Sequence, residues 1–266
     1  MAITRSNSGR VSQRPLSCTS SLQTQPPAAD AGRVKYGVAT LTVVLALVLA
    51  PVAVAQRLVL RPHQTRPLSD AQAAALVHRS PWEPRTDNGA TLHRMPTRAQ
   101  LRVFWAQSTM PYARSVTGHF TGTTDEILQW AAYKWGFEPN LLRAVASVES
   151  WWRMSTNGDN GDSFGLFQVR RPYHCQGVVC DWFRRDAAFN ADYYGAILRS
   201  YYDGTETWLN TVSGNGAVYR RRELWNSVGA WFSGRWHDPG AIQYVATVKS
   251  DLAKRIWRTA MFAGGN

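Results

Sequence analysis

Glu149 interrupts an otherwise apolar helix face. In the stretch "EPNLLRAVASVESWW", Leu141, Val145 and Glu149 follow one another at four-residue steps, and Leu142, Val148 and Trp152 flank them on the same side. Pro139 suits a first helical turn, and Thr156 to Gly158 suit a terminus. The spacing therefore predicts a helix that turns a carboxyl group inward. A glutamate so placed is either a structural group, paired with an arginine or backbone donors, or a tuned acid. An apolar setting disfavours the ionised form, and glutamates tuned this way titrate at about 6 to 7, which keeps a general acid protonated near neutral pH.

The residues after the helix favour the second use. "NGDNGDSFGLFQV", from Asn157 to Val169, is small and polar, and its glycines let backbone approach a ligand closely. Phe164, Leu166 and Phe167 then return to the core, while Gln168 offers both a donor and an acceptor. The pattern is a site-shaped loop opposite a buried acid.

The elements that must hold this pair are helical. From Leu101 onward, apolar residues recur at helical spacing in "TDEILQWAAYKWGF", "DAAFNADYYGAILRSYYDG", "RRELWNSVGAWFSG" and "AIQYVATVKSDLAKRIW", separated by loops rich in Gly, Asn, Asp and Pro. No segment alternates with period two and no internal repeat is present, so the expected fold class is mainly α. Residues 1–36 read as a disordered cytoplasmic lead. Residues 37–55, "GVATLTVVLALVLAPVAVA", are uncharged and follow Arg33 and Lys35, as in an export signal or a membrane anchor. Ala53 and Ala55 fit a cleavage site, whereas the length approaches the roughly 20 residues that span a bilayer. Either alternative puts the remainder outside the cytoplasm. Residues 56–100 read as an extracytoplasmic linker with one short helix N-capped by Ser69, residues 101–258 as the helical domain, and 259–266 as a tail.

A net charge of +12 and a pI near 10.1 imply a polyanionic partner: nucleic acid, anionic lipid or the anionic polymers of a cell wall. The export segment and the scarcity of basic helical stripes argue against nucleic acid. In an oxidising compartment Cys175 and Cys180, in "YHCQGVVCDW", are expected to close a short disulfide loop. A metal site from His174, Cys175, Cys180 and Asp181 lacks a second paired-ligand element, and no cofactor is called for. The aromatics Trp151, Trp152, Tyr193, Tyr194, Trp225, Trp231 and Trp236 exceed what a small core needs, so some are candidates to line a binding groove.

"ASVES" followed by "GLFQV" resembles the signature of the soluble lytic transglycosylase family and of its relative, goose-type lysozyme, which share a lysozyme-like α fold. The matching positions are Glu149-Ser150 and Gly165-Leu166-Phe167-Gln168, with Phe167 where the pattern has Met. "NADYYGAIL" from Asn190 is similar to a further family helix, with Gly195 displaced by one residue, and Tyr244-Val245-Ala246-Thr247-Val248 matches the closing motif. "GAWFSGRW", Gly229 to Trp236, stands where the family has an Asn-containing segment and lacks that Asn. The resemblance runs from about Arg102 to Trp257.

The resemblance implies action on peptidoglycan glycan strands, between N-acetylmuramic acid and N-acetylglucosamine, at a cell wall or membrane surface. Glu149 would be the catalytic acid and base, and Tyr244 would hydrogen-bond it. Ser150, Ser163, Gly165, Phe167, Gln168 and Asn190 would complete the substrate site. A lytic transglycosylase closes a 1,6-anhydro ring without water, whereas a hydrolase needs a water-positioning group, usually a second carboxylate. "GDNGDSFGLFQV" aligns without gaps to the goose-type pattern, which places Asp159 on its second acidic position and Arg170 where another acid is expected. Asp159 is thus either a second acid or a loop residue bonding its own backbone. The alternatives to a transglycosylase are a goose-type-like muramidase and an inactive wall-binding module.

Overall fold

Three capping boxes and five left-handed stops punctuate the helices of the described residues. The computed structural model describes residues 58–214 and 216–264, all within one compact unit of the chain. Ser69 with Gln72 caps α1 (Asp70–Ala74), and Thr97 with Gln100 caps α3 (Arg98–Gln107), after the four-residue α2 (Gly89–Leu92). Thr123 with Glu126 caps α4 (Thr124–Trp135), which Gly136 ends at φ 81°. Pro139 sits in the first turn of α5 (Pro139–Ser150), behind the Glu138 N-cap. Three two-residue strands follow, β1 (Asn157–Gly158), β2 (Ser163–Phe164) and β3 (Val169–Arg170), antiparallel in the order β1-β2-β3. Then come α6 (Val178–Arg185), α7 (Ala187–Asp203), α8 (Leu224–Ser233), α9 (Pro239–Lys254) and the short α10 (Ala260–Gly264). The described residues are mainly helical.

Helix α7 is the axis. Every residue from Ala187 to Tyr202 is buried, as expected of a helix packed on all sides, here by α4, α6 and α8. Its approach to α4 is so close that a Cβ at Gly195 would lie 2.3 Å from the Trp135 ring, so only glycine fits. Lys134, 2% exposed, is held by Asp192 of α7 and Asp70 of α1, each at 2.7 Å, which ties three helices through one charge. Such a cation is tolerated in the core because both partners come with it. Helix α5 lies between α4 and α9.

Two expected boundaries are corrected. Residues 58–100 are not a free linker but a strap on the helical body. Leu58, Ala73 and Leu92 are buried, Val59 pairs with Phe137, and Arg85 is 1% exposed. The tail reading of 259–266 also fails, because Phe262 is fully buried against Trp151 and Trp152, with the Arg85 guanidinium 4.2 Å from its ring. Both segments are held by polar anchors and isolated apolar residues, which leave no periodicity to read. The lead and the apolar segment 37–55 lie outside the described residues, among which no helix is long and apolar enough to cross a membrane.

Candidate active site

Helix α5 stops one residue after Glu149, rather than at Thr156 to Gly158. Trp151 and Trp152 turn the chain with φ of 55° and 62°, a conformation that costs a bulky residue about 1 kcal/mol or more. The strap offsets that cost. Arg85 Nε donates to Trp151 O and Asn88 Nδ2 to Trp152 O, both at 2.7 Å, while the Trp152 ring is buried against Trp82, Trp257 and Phe262. Glu149 therefore occupies the last turn of a helix, where the unpaired carbonyls already disfavour a negative charge.

Its partners arrive from α8 and α9. Tyr244 Oη donates to Glu149 Oε1 at 2.5 Å, and the Trp231 indole, which donates to Phe167 O at 3.2 Å, also supports the ionised carboxylate. Burial outweighs both and raises the Glu149 pKa from the usual 4.5 to about 8, with a smaller upward push from the charge on Asp159. The residue keeps one accessible edge, so it is walled in by protein on most sides yet open to a ligand. At neutral pH it holds a proton it can donate.

The loop opposite is built mostly from its own hydrogen bonds. Ser150 Oγ donates to Leu166 O at 2.8 Å, stapling the helix end to the loop. Buried Asn190 accepts from Phe167 N and donates to Phe164 O and Phe183 O, each at 3.0 Å, and a Cβ at Gly165, whose φ is +70°, would lie 2.6 Å from its amide. The Phe167 ring lies flat on Tyr194, 4.0 Å between centroids. Gln168 accepts from Gly158 N at 2.8 Å and donates to Thr156 O and Gly165 O.

These contacts divide the expected substrate residues. Ser150, Gly165, Phe167 and Asn190 do not line the cleft: they are the frame behind it, which corrects their reading as ligand contacts. Tyr244 does not line the cleft either and meets it through its bond to Glu149. Glu149, Asp159, Ser163 and Gln168 share a cleft of about 1030 Å³. Within it Ser163 Oγ donates to Asp159 Oδ2 at 2.5 Å, and Arg170 Nε stands 3.4 Å from the same oxygen, with both charged side chains about half exposed.

Of the aromatics expected as groove candidates, Tyr193 and Trp231 line the cleft, whereas Trp151, Trp152, Tyr194, Trp225 and Trp236 do not. Tyr173, Trp208 and Phe232 line it instead, each with a large exposed face. Tyr173 and Trp208 lie on irregular or 3-10 backbone and Phe232 on the outer side of α8, so helical periodicity could not single them out. Cys175 and Cys180 form a disulfide, Cα atoms 5.2 Å apart, which removes both thiolates from any metal site; no metal-ligating cluster is present among the described residues. Comparison of the chain with protein-family models, with curated proteins and with solved structures found no match.

Proposed function

We propose that the chain is a peptidoglycan lytic transglycosylase of the lysozyme-like class, acting outside the cytoplasm on the bond between N-acetylmuramic acid and N-acetylglucosamine. The observation that carries this reading is Glu149, walled in by protein and hydrogen-bonded by Tyr244 in an open cleft with exposed aromatic faces, where desolvation raises its pKa to about 8. Such faces suit sugar rings, and the resemblance of "ASVES…GLFQV" names the glycan. Glu149 protonates the glycosidic oxygen as the C1–O bond breaks, leaving an oxocarbenium-like centre at C1. The carboxylate then takes the proton of the muramic 6-hydroxyl, whose oxygen bonds to C1. The ring closes, Glu149 regains its proton, and no water is consumed.

The second reading is hydrolysis, and it rests on Asp159, which lines the same cleft and is felt by Glu149. Its engagement by Ser163 and Arg170 disfavours a base that must hold water in place. Mass spectrometry of products from purified cell wall decides: 1,6-anhydro-muramic ends are expected, reducing ends would mean a hydrolase, and binding without release would mean an inactive wall-binding module.

A further inference from the structure

One wall of the cleft carries an imidazole that this chemistry does not use. His174 stacks on Trp231, the indole beside Glu149, with centroids 4.8 Å apart and planes at 24°. Its Nδ1 lies 3.0 Å from Tyr193 Oη, and its backbone N–H donates to Arg170 O at 2.9 Å. Ring, hydroxyl and backbone together leave the side chain one orientation. Nε2 has no hydrogen-bond partner among the described residues, nor is it a sealed-in orphan, and the residue lines the cleft with Glu149. Burial pushes the imidazole down to about 4, so between there and about pH 8 it is uncharged while Glu149 is protonated. A neutral ring nitrogen with a fixed direction suits an uncharged polar group, as donor or acceptor according to its tautomer.

The next residue explains how the loop is held. Cys175 is bridged to Cys180 in α6, and both are nearly buried. The preceding residues, Arg171 to Tyr173, are exposed, so the disulfide adds a covalent tie to the stacking and hydrogen bonds that set the His174 ring.

We propose that His174 is a glycan-contact residue, its Nε2 hydrogen-bonding an acetamido or hydroxyl group of an N-acetylated sugar, and that the Cys175–Cys180 disulfide keeps it in the cleft. The ligand class rests on the wall-glycan reading above. Reduction of the disulfide then weakens saccharide binding without touching the acid.

The test is binding of a β-1,4-linked N-acetylglucosamine tetramer, read by tryptophan fluorescence, beside release of fragments from purified cell wall. His174→Ala is expected to weaken tetramer binding about ten-fold, the effect of one net hydrogen bond, and to raise KM with kcat nearly unchanged. His174→Gln, which can donate or accept from a similar reach, is expected to recover most of that loss. Replacing both cysteines by serine should cost wild type a similar factor and cost His174→Ala nothing more, with circular dichroism unchanged. Equal affinity of wild type and His174→Ala overturns the contact. An equal loss on cysteine replacement in both backgrounds overturns the tether. Tetramer binding that depends on His174 in a protein that releases no wall fragments would sink the catalytic reading and leave this one standing, and no binding by wild type sinks this one.

Discussion

Two carboxylates share the cleft and are treated oppositely. Glu149 is walled in at a helix C-terminus, with a tyrosine hydroxyl as its direct hydrogen-bond partner and its pKa raised to about 8. Asp159 stands on a turn at φ 48°, about half exposed, between a serine hydroxyl and an arginine. One is kept protonated by what excludes water from it; the other lies beside a counter-charge in solvent. The difference teaches that an acid's role here is set by its wall rather than by its place in a motif.

The largest expected effect comes from Glu149→Gln, which keeps shape and removes the proton donor. Release of fragments from purified wall should fall about 10³-fold, within the range that general acid–base catalysis contributes. Full retained release would end the catalytic reading. The same substitution should raise stability. Below about pH 4.5 the carboxyl is protonated in folded and unfolded chains alike; between there and about 8 only the unfolded chain ionises, which pulls the equilibrium toward unfolding. Above that the loss stops growing, having reached on the order of 3 to 4 kcal/mol once the open edge is allowed for. Melting at pH 8 should therefore occur about 5 °C or more higher for Glu149→Gln than for wild type, the two converging near pH 4. Enzyme activity should decline as pH rises through about 8, where the acid loses its proton.

Next in size is Tyr244→Phe. It removes the hydroxyl that stabilises the ionised carboxylate, so the Glu149 pKa rises further and the alkaline limb of the pH–rate profile moves up. The carboxylate waiting to act as base is then poorly held, and kcat should drop about ten- to hundred-fold, the usual worth of a hydrogen bond to a charged group. A profile that does not move would mean that Tyr244 is packing only.

The contrast between the two acids was only half legible in the sequence. Glu149 stood out because a buried face has a period, and a charged residue on it breaks the period visibly. Helices α4, α5, α7, α8 and α9 were legible for the same reason, whereas α6 lies in the stretch read as a short disulfide loop. Arg85 and Asn88, which hold the turn behind Glu149, have no such signal: each does its work through one or two bonds to backbone distant in sequence. Asn190 and Ser150 illustrate the converse. Their types are those of ligand contacts, and only the bonds to Phe167 and Leu166 reveal them as frame. Motif position carries the residue type, but not which way its polar atoms are already committed.

The smallest expected effect is the most discriminating one. Asp159→Asn removes the ion pair with Arg170 but leaves an amide oxygen to accept from Ser163, so the turn should persist. Exposed pairs of this kind contribute about 0 to 1 kcal/mol, and melting should hardly change. Loss of the negative charge also removes the smaller upward push on Glu149, so its pKa falls slightly. If Glu149 works alone, the rate should change by less than about three-fold, since no proton or water passes through Asp159, and the anhydro ends should remain. If instead Asp159 places the attacking water, the rate should fall by about 10² or more, in line with a lost catalytic base, and the reducing ends should vanish from the products. The two carboxylates would then be partners, and the arginine beside Asp159 would orient the base rather than occupy it.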